Sequence, residues 1–72
     1  LNIVVTGTIS GYTRYEIEQL IIDHGGNFQK SVTKKTDLVV KAYNPGTQKL
    51  TKAAEYGIKV IGEKELFEMM GD

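Results

Sequence analysis

Cysteine and tryptophan are absent from this 72-residue chain, and proline and histidine occur once each. Without cysteine there is no disulfide staple and no thiolate zinc site, and a reducing, cytosolic setting is compatible. No apolar run approaches the roughly 18 residues of a membrane span. No charged-then-apolar signal segment opens the sequence. The first residue is Leu1 rather than Met, which predicts a piece excised from a larger protein. Length predicts a single domain over residues 1–72. Its stability should be modest, because so short a chain buries only about 60% of its unfolded surface.

Net charge is also missing: nine Lys and Arg balance nine Asp and Glu. The balance hides an asymmetry. Residues 30–52 hold Lys30, Lys34, Lys35, Lys41, Lys49 and Lys52 against Asp37 alone, a sum of +5, and the remainder carries −5. Such polarity points to a basic face for an anionic partner. The alternative is a set of solvated lysines on loops and helix surface.

What is present is organised around residues 4–14. The apolar run Ile3-Val4-Val5 ends abruptly in Thr6-Gly7-Thr8-Ile9-Ser10-Gly11. A helix-start signal follows: Thr13 as N-cap, Glu16 as its reciprocal partner, and Tyr12 with Ile17 as a hydrophobic staple. A strand that leads through a glycine turn to a helix N-terminus leaves free backbone N–H groups, a ready anion site.

Downstream, the first helix reaches about His24, with Ile17, Leu20 and Ile21 as its buried stripe, and Gly25-Gly26 stops it. A second strand is predicted near Asn27 to Ser31, then a polar, lysine-bearing loop from Val32 to Thr36. Leu38-Val39-Val40 is a third strand and Asn44-Pro45-Gly46 a turn. Thr47 is the expected cap of a second helix to about Tyr56, with Leu50, Ala53 and Ala54 inward. A fourth strand from Ile58 to Ile61 and a third helix from Glu63 to Met70 complete the chain. Apolar strands alternating with helices imply an α/β fold with a parallel sheet covered on both faces.

Two cations sit at the unfavourable ends of their helices: Arg14 at the start of the first and Lys49 in the first turn of the second. The helix dipole disfavours each by roughly 0.3–1 kcal/mol, and a bound anion would reverse that sign. In an open parallel sheet, ligands gather beyond the carboxyl ends of the strands, where successive helices leave on opposite faces. There Thr6, Gly7, Arg14 and Lys49 would converge on an anion through a hydroxyl, a backbone N–H and two cations. A structural turn flanked by two surface cations is the competing reading. Gly7 to Gly11 is neither a dinucleotide fingerprint nor a P-loop, and Ser10 has no evident base partner. His24 lies at a helix C-terminus, and Glu63, Glu65 and Glu68 read as a solvated helix start and face. Tyr43 reads as packed in the core or its rim rather than as a stacking platform.

These residues resemble a BRCT domain over essentially the whole length. The resemblance rests on Val5-Thr6-Gly7, on Gly25-Gly26, and on the stretch from Ser31 to Val40. It continues through Gly46-Thr47-Gln48-Lys49-Leu50 with Lys52-Ala53, and through Gly57-Ile58-Lys59-Val60-Ile61. It implies a three-layer fold: a four-stranded parallel sheet in the order 2-1-3-4, the first and third helices on one face and the second on the other. The chain looks most similar to the subgroup of bacterial NAD-dependent DNA ligases and the clamp-loader large subunit. Many BRCT domains carry tryptophan in the third helix, where Leu66 stands here.

The resemblance implies a non-catalytic, cofactor-free and monomeric module of a DNA replication or repair protein, in the bacterial cytoplasm at the nucleoid. It would bind DNA ends or nicks through a 5′-phosphate held by Thr6, Gly7, Arg14 and Lys49. Lys34, Lys35 and Lys52 are candidates for the flanking DNA backbone. The alternative is a protein-interaction module. In phosphopeptide-reading members, residues matching Thr6, Gly7 and Lys49 hold a phosphoserine.

Overall fold

The structure is a computed structural model, and it describes residues 1–71. Seven elements follow in the expected order: β1 (Asn2–Thr6), α1 (Arg14–Asp23), β2 (Asn27–Gln29), β3 (Leu38–Lys41), α2 (Thr47–Tyr56), β4 (Lys59–Gly62) and α3 (Glu63–Met70). All four strands pair in parallel, in the order β2-β1-β3-β4. This is the sheet order that the family resemblance implied.

The continuous apolar runs of β1 and β3 are split between two cores by the two-residue period of a strand. Ile3, Val5, Leu38 and Val40 face one way and pack with Ile17 and Ile21 of α1 and Leu66 of α3. Val4 and Val39 face the other way and meet Ala53 of α2. Helices α1 and α3 therefore cover one face of the sheet and α2 the other.

The start of α1 follows from local chemistry. The Glu16 N–H donates to Thr13 Oγ1 at 3.2 Å, and the Thr13 N–H donates to Glu16 Oε1 at 2.9 Å. Replacing Thr13 with Ala should cost about 1 kcal/mol. The thermal midpoint followed by circular dichroism should fall by about 5 °C.

Four features differ from the expectation. Val32 is buried in the second core with Val4, Val39 and Ala53, although it sits in a loop that reads as polar. A lone apolar residue has no periodicity to reveal it. Next, Gly46, not Thr47, is the N-cap of α2, and no side chain caps that helix. The Gly46 N–H instead donates to Thr6 Oγ1 at 3.0 Å, so the entry to α2 is fixed by β1. Ala54 is exposed, leaving Leu50 and Ala53 as the inward residues of α2. Finally, β2 stops at Gln29 rather than Ser31. Its pairing with β1 ends at Val4, whereas the pairing of β1 with β3 runs on to Thr6. The last residues of β1 are thus left uncovered on the β2 side.

Candidate functional site

The site lies at the carboxyl ends of β1 and β3, between the starts of α1 and α2. Thr6, the last residue of β1, is buried. Its Oγ1 accepts the Gly46 N–H, and its own hydroxyl proton has no acceptor among the described residues. The Gly7 backbone is pinned on both sides. Ala42 N–H donates to Thr6 O at 2.9 Å, and Thr8 and Tyr43 exchange N–H···O bonds at 2.9 and 3.1 Å. Between these bonds Gly7 takes φ +93°, and an added Cβ would stand 2.6 Å from Tyr43 O. The Gly7 N–H has no acceptor among the described residues.

Arg14 opens α1 and Lys49 lies in the first turn of α2, on the opposite face of the sheet. The two are nonetheless near each other electrostatically. The Lys49 ammonium is held below its ordinary pKa of 10.5, first by partial burial and then by repulsion from Arg14. A base with a lowered folded-state pKa costs stability while charged, and that cost is relieved as pH rises through the lowered value toward 10.5. A phosphate between the two cations would relieve it at any pH where both are charged. The contrast with α3 is direct. That helix opens with Glu63 and Glu65, the charge its dipole prefers.

The remaining candidates divide by the end of the sheet they occupy. Lys52 lies one turn beyond Lys49 and lines a shallow groove with Gln48 and Glu55. Lys34 and Lys35 are not brought to this site. They sit in the turn before β3, where Asn2 Nδ2 donates to Lys35 O at 2.8 Å and the Asp37 N–H donates to Asn2 O at 2.8 Å. Asn2 starts β1, so this turn is about 16 Å from Gly7 along the strand. Conversely, Lys30 follows the end of β2, and Lys41 ends β3 in register with Thr6. Both stand at the Gly7 end. In the sequence they were visible only as part of a charge sum, and strand register is the signal that places them.

Tyr43 also departs from expectation. It is 78% exposed rather than packed, at an isolated bridge to Thr8 beyond the ends of β1 and β3. His24 is the C-cap of α1, with Nδ1 2.8 Å from Leu20 O. Among the described residues no group of three or more His, Cys, Asp or Glu side chains could hold a metal ion. No helix among them is long and apolar enough to cross a membrane. Gly7 and Arg14 line one cleft at this end of the sheet, and the charge of Arg14 is felt at Lys49.

The sequence profile of the BRCA1 C Terminus (BRCT) domain matches residues 1–70. A DNA ligase of Carboxydothermus hydrogenoformans is 50% identical over 70 residues, 97% of this chain. A DNA ligase of Fervidobacterium nodosum is 44% identical over 70 residues, also 97% of the chain. A DNA ligase of Petrotoga mobilis is 43% identical over 72 residues, the whole chain. The chain spans only about a tenth of the length of these relatives, 10% of the first two and 11% of the third. Profile, sheet order and relatives together show that the chain belongs to the BRCT family, as a small non-catalytic module of the kind found in bacterial DNA ligases.

Proposed function

We propose that this module binds DNA ends or nicks through a 5′-phosphate, as part of a larger bacterial DNA ligase of the NAD-dependent class. The observation that carries the reading is a Gly7 N–H with no acceptor among the described residues, in a cleft that Arg14 also lines, with Lys49 across the sheet held below its ordinary pKa by burial and by the charge of Arg14. Two like charges held together at two helix starts are unfavourable unless an anion joins them. A terminal phosphate, with about two negative charges, matches two cations better than a bridging phosphodiester, which carries one. Thr6 would donate its hydroxyl proton and Gly7 its N–H, while Arg14 and Lys49 would supply charge. Lys52, on the exposed surface of α2, would meet the flanking backbone. Lys34 and Lys35 would join only if the duplex ran down the molecule toward the amino ends of the strands. The module would act in the cytoplasm, at the nucleoid.

A phosphoserine presents the same dianion. The common name of the relatives, DNA ligase, and the presence of Arg14 favour DNA. The test is fluorescence anisotropy with one recessed duplex, with and without its 5′-phosphate, across a salt series. The phosphate should add about tenfold in affinity at low salt, as a charge-assisted contact does. The logarithm of the binding constant should fall with the logarithm of salt with a slope of about −2 to −4, as for a few released counterions. Equal affinity for both duplexes would overturn the reading in favour of nonspecific attraction.

A further inference from the structure

Beside the proposed phosphate site, on the side that the short β2 leaves open, lies a cleft of about 340 Å³. That is at the small end of pockets that take organic ligands. Ile9 and Ile17, both buried, belong to its apolar lining, and the half-buried Phe28 of β2 adds an aromatic ring. Tyr12 also lines it; this ring is 42% exposed and is braced by Phe67, with ring centroids 5.4 Å apart. Gly7 and Arg14, which the proposed phosphate contact would use, are lining residues of the same cleft.

From this continuity we infer that the cleft receives the base of the 5′-terminal nucleotide whose phosphate is held at Gly7 and Arg14. The inference rests on the phosphate-end reading and adds the substrate class: an end whose last 5′ nucleotide is free to leave its pair. The phosphate is joined to that nucleotide by one ester bond, so a group bound at Gly7 puts its own nucleoside next to the cleft. Apolar and aromatic walls suit a flat base, because every base has a face that stacks on an aromatic ring. A base enters such a slot only after unpairing, and unpairing is easiest at a mismatch, a frayed end or a flap. The module therefore selects DNA ends with an unpaired 5′ nucleotide over fully paired ones. Ends with no base at that position lose the contact.

Three recessed duplexes test this, each prepared with and without the 5′-phosphate and differing otherwise only in the terminal 5′ nucleotide: paired, mismatched or abasic. Their affinities are measured by anisotropy for the wild-type chain, Tyr12→Ala and Tyr12→Phe. The mismatched end should bind about fivefold tighter than the paired and the abasic ends, within the range of one base–aromatic stack. Tyr12→Ala should erase that preference and keep the phosphate dependence, whereas Tyr12→Phe, which keeps the ring, should retain both. Equal affinity of the wild type for all three ends, with phosphate dependence intact, would overturn the cleft assignment alone. This outcome does not depend on any variant folding. Loss of phosphate dependence would overturn the phosphate-end reading and this inference with it. Tighter binding of a phosphoserine peptide than of any duplex would assign the cleft to a peptide side chain and overturn the inference too.

Discussion

Gly7→Ala should be the most damaging small substitution in the chain, costing about 3–5 kcal/mol. Two penalties coincide at this position. The backbone is at φ +93°, where a Cβ is strained in any surroundings, and the added atom would stand 2.6 Å from Tyr43 O and 3.0 Å from Ala42 C. Both obstacles are backbone, held by the paired bonds between Thr8 and Tyr43, so neither can swing aside. Gly11 provides the control. It has a similar φ of +83°, but a Cβ there would meet nothing within 4 Å. Gly11→Ala should therefore cost only the conformational strain, about 1 kcal/mol. Thermal unfolding followed by circular dichroism should show a midpoint lower by about 12 °C or more for Gly7→Ala and by about 5 °C for Gly11→Ala. Roughly 4–11 kcal/mol is the total expected for a domain this size, so Gly7→Ala would leave little of it. Similar losses for the two variants would show that the β1–β3 contact is not what requires glycine.

Lys49→Glu should move stability and binding in opposite directions. The substitution removes the repulsion from Arg14 and places an acid in the first turn of α2, where the dipole favours it. Stability should hold or rise by about 0.3–1 kcal/mol. Phosphate-dependent affinity should fall by roughly 10- to 100-fold, the loss of a charge-assisted hydrogen bond made worse by a repelling carboxylate. Calorimetric unfolding and anisotropy on the same sample separate the two effects. A residue kept for folding would show parallel losses. The predicted pattern is that of a group held against its own electrostatic preference for the sake of a ligand.

Most of the fold was legible wherever the determining contacts are local. The Thr13–Glu16 capping box lies within one helical turn, and both hydrogen bonds are present. The apolar runs of β1 and β3 implied strands buried on two faces, and the two cores divide them residue by residue. The strand order did not come from residue patterns; the family resemblance supplied it. What went unread is fixed by partners distant in sequence. Thr47 has the chemistry of a cap, yet the entry to α2 is set by Thr6, 40 positions from Gly46. Val32 earns its burial from Val4, Val39 and Ala53 on other elements.

The candidate site divides the same way. Arg14 and Lys49 were singled out because each contradicts the polarity of its own helix, which is a local signal. Their mutual approach needed the fold. Lys34 and Lys35 were drawn in by a sum of charge along the chain, and such a sum is blind to which end of the sheet a residue occupies. The bond from Asn2 to Lys35 O places that turn at the amino ends of the strands. Lys41, no different in sequence, stands beside Thr6 because of register.

The central claim is that the Gly7 N–H and the two helix-start cations hold a terminal phosphate. The most direct measurement is a two-dimensional amide NMR titration of the chain with a recessed duplex, with and without the 5′-phosphate. The Gly7 amide, having no acceptor within the described residues, should shift strongly downfield with the phosphorylated duplex and hardly at all without the phosphate. Smaller changes should follow at Arg14 and Lys49. If the Gly7 amide stayed in place while the amides of Lys34 and Lys35 moved equally with both duplexes, the claim would be wrong. DNA would then be meeting the lysines at the amino ends of the strands without reading its phosphorylated end.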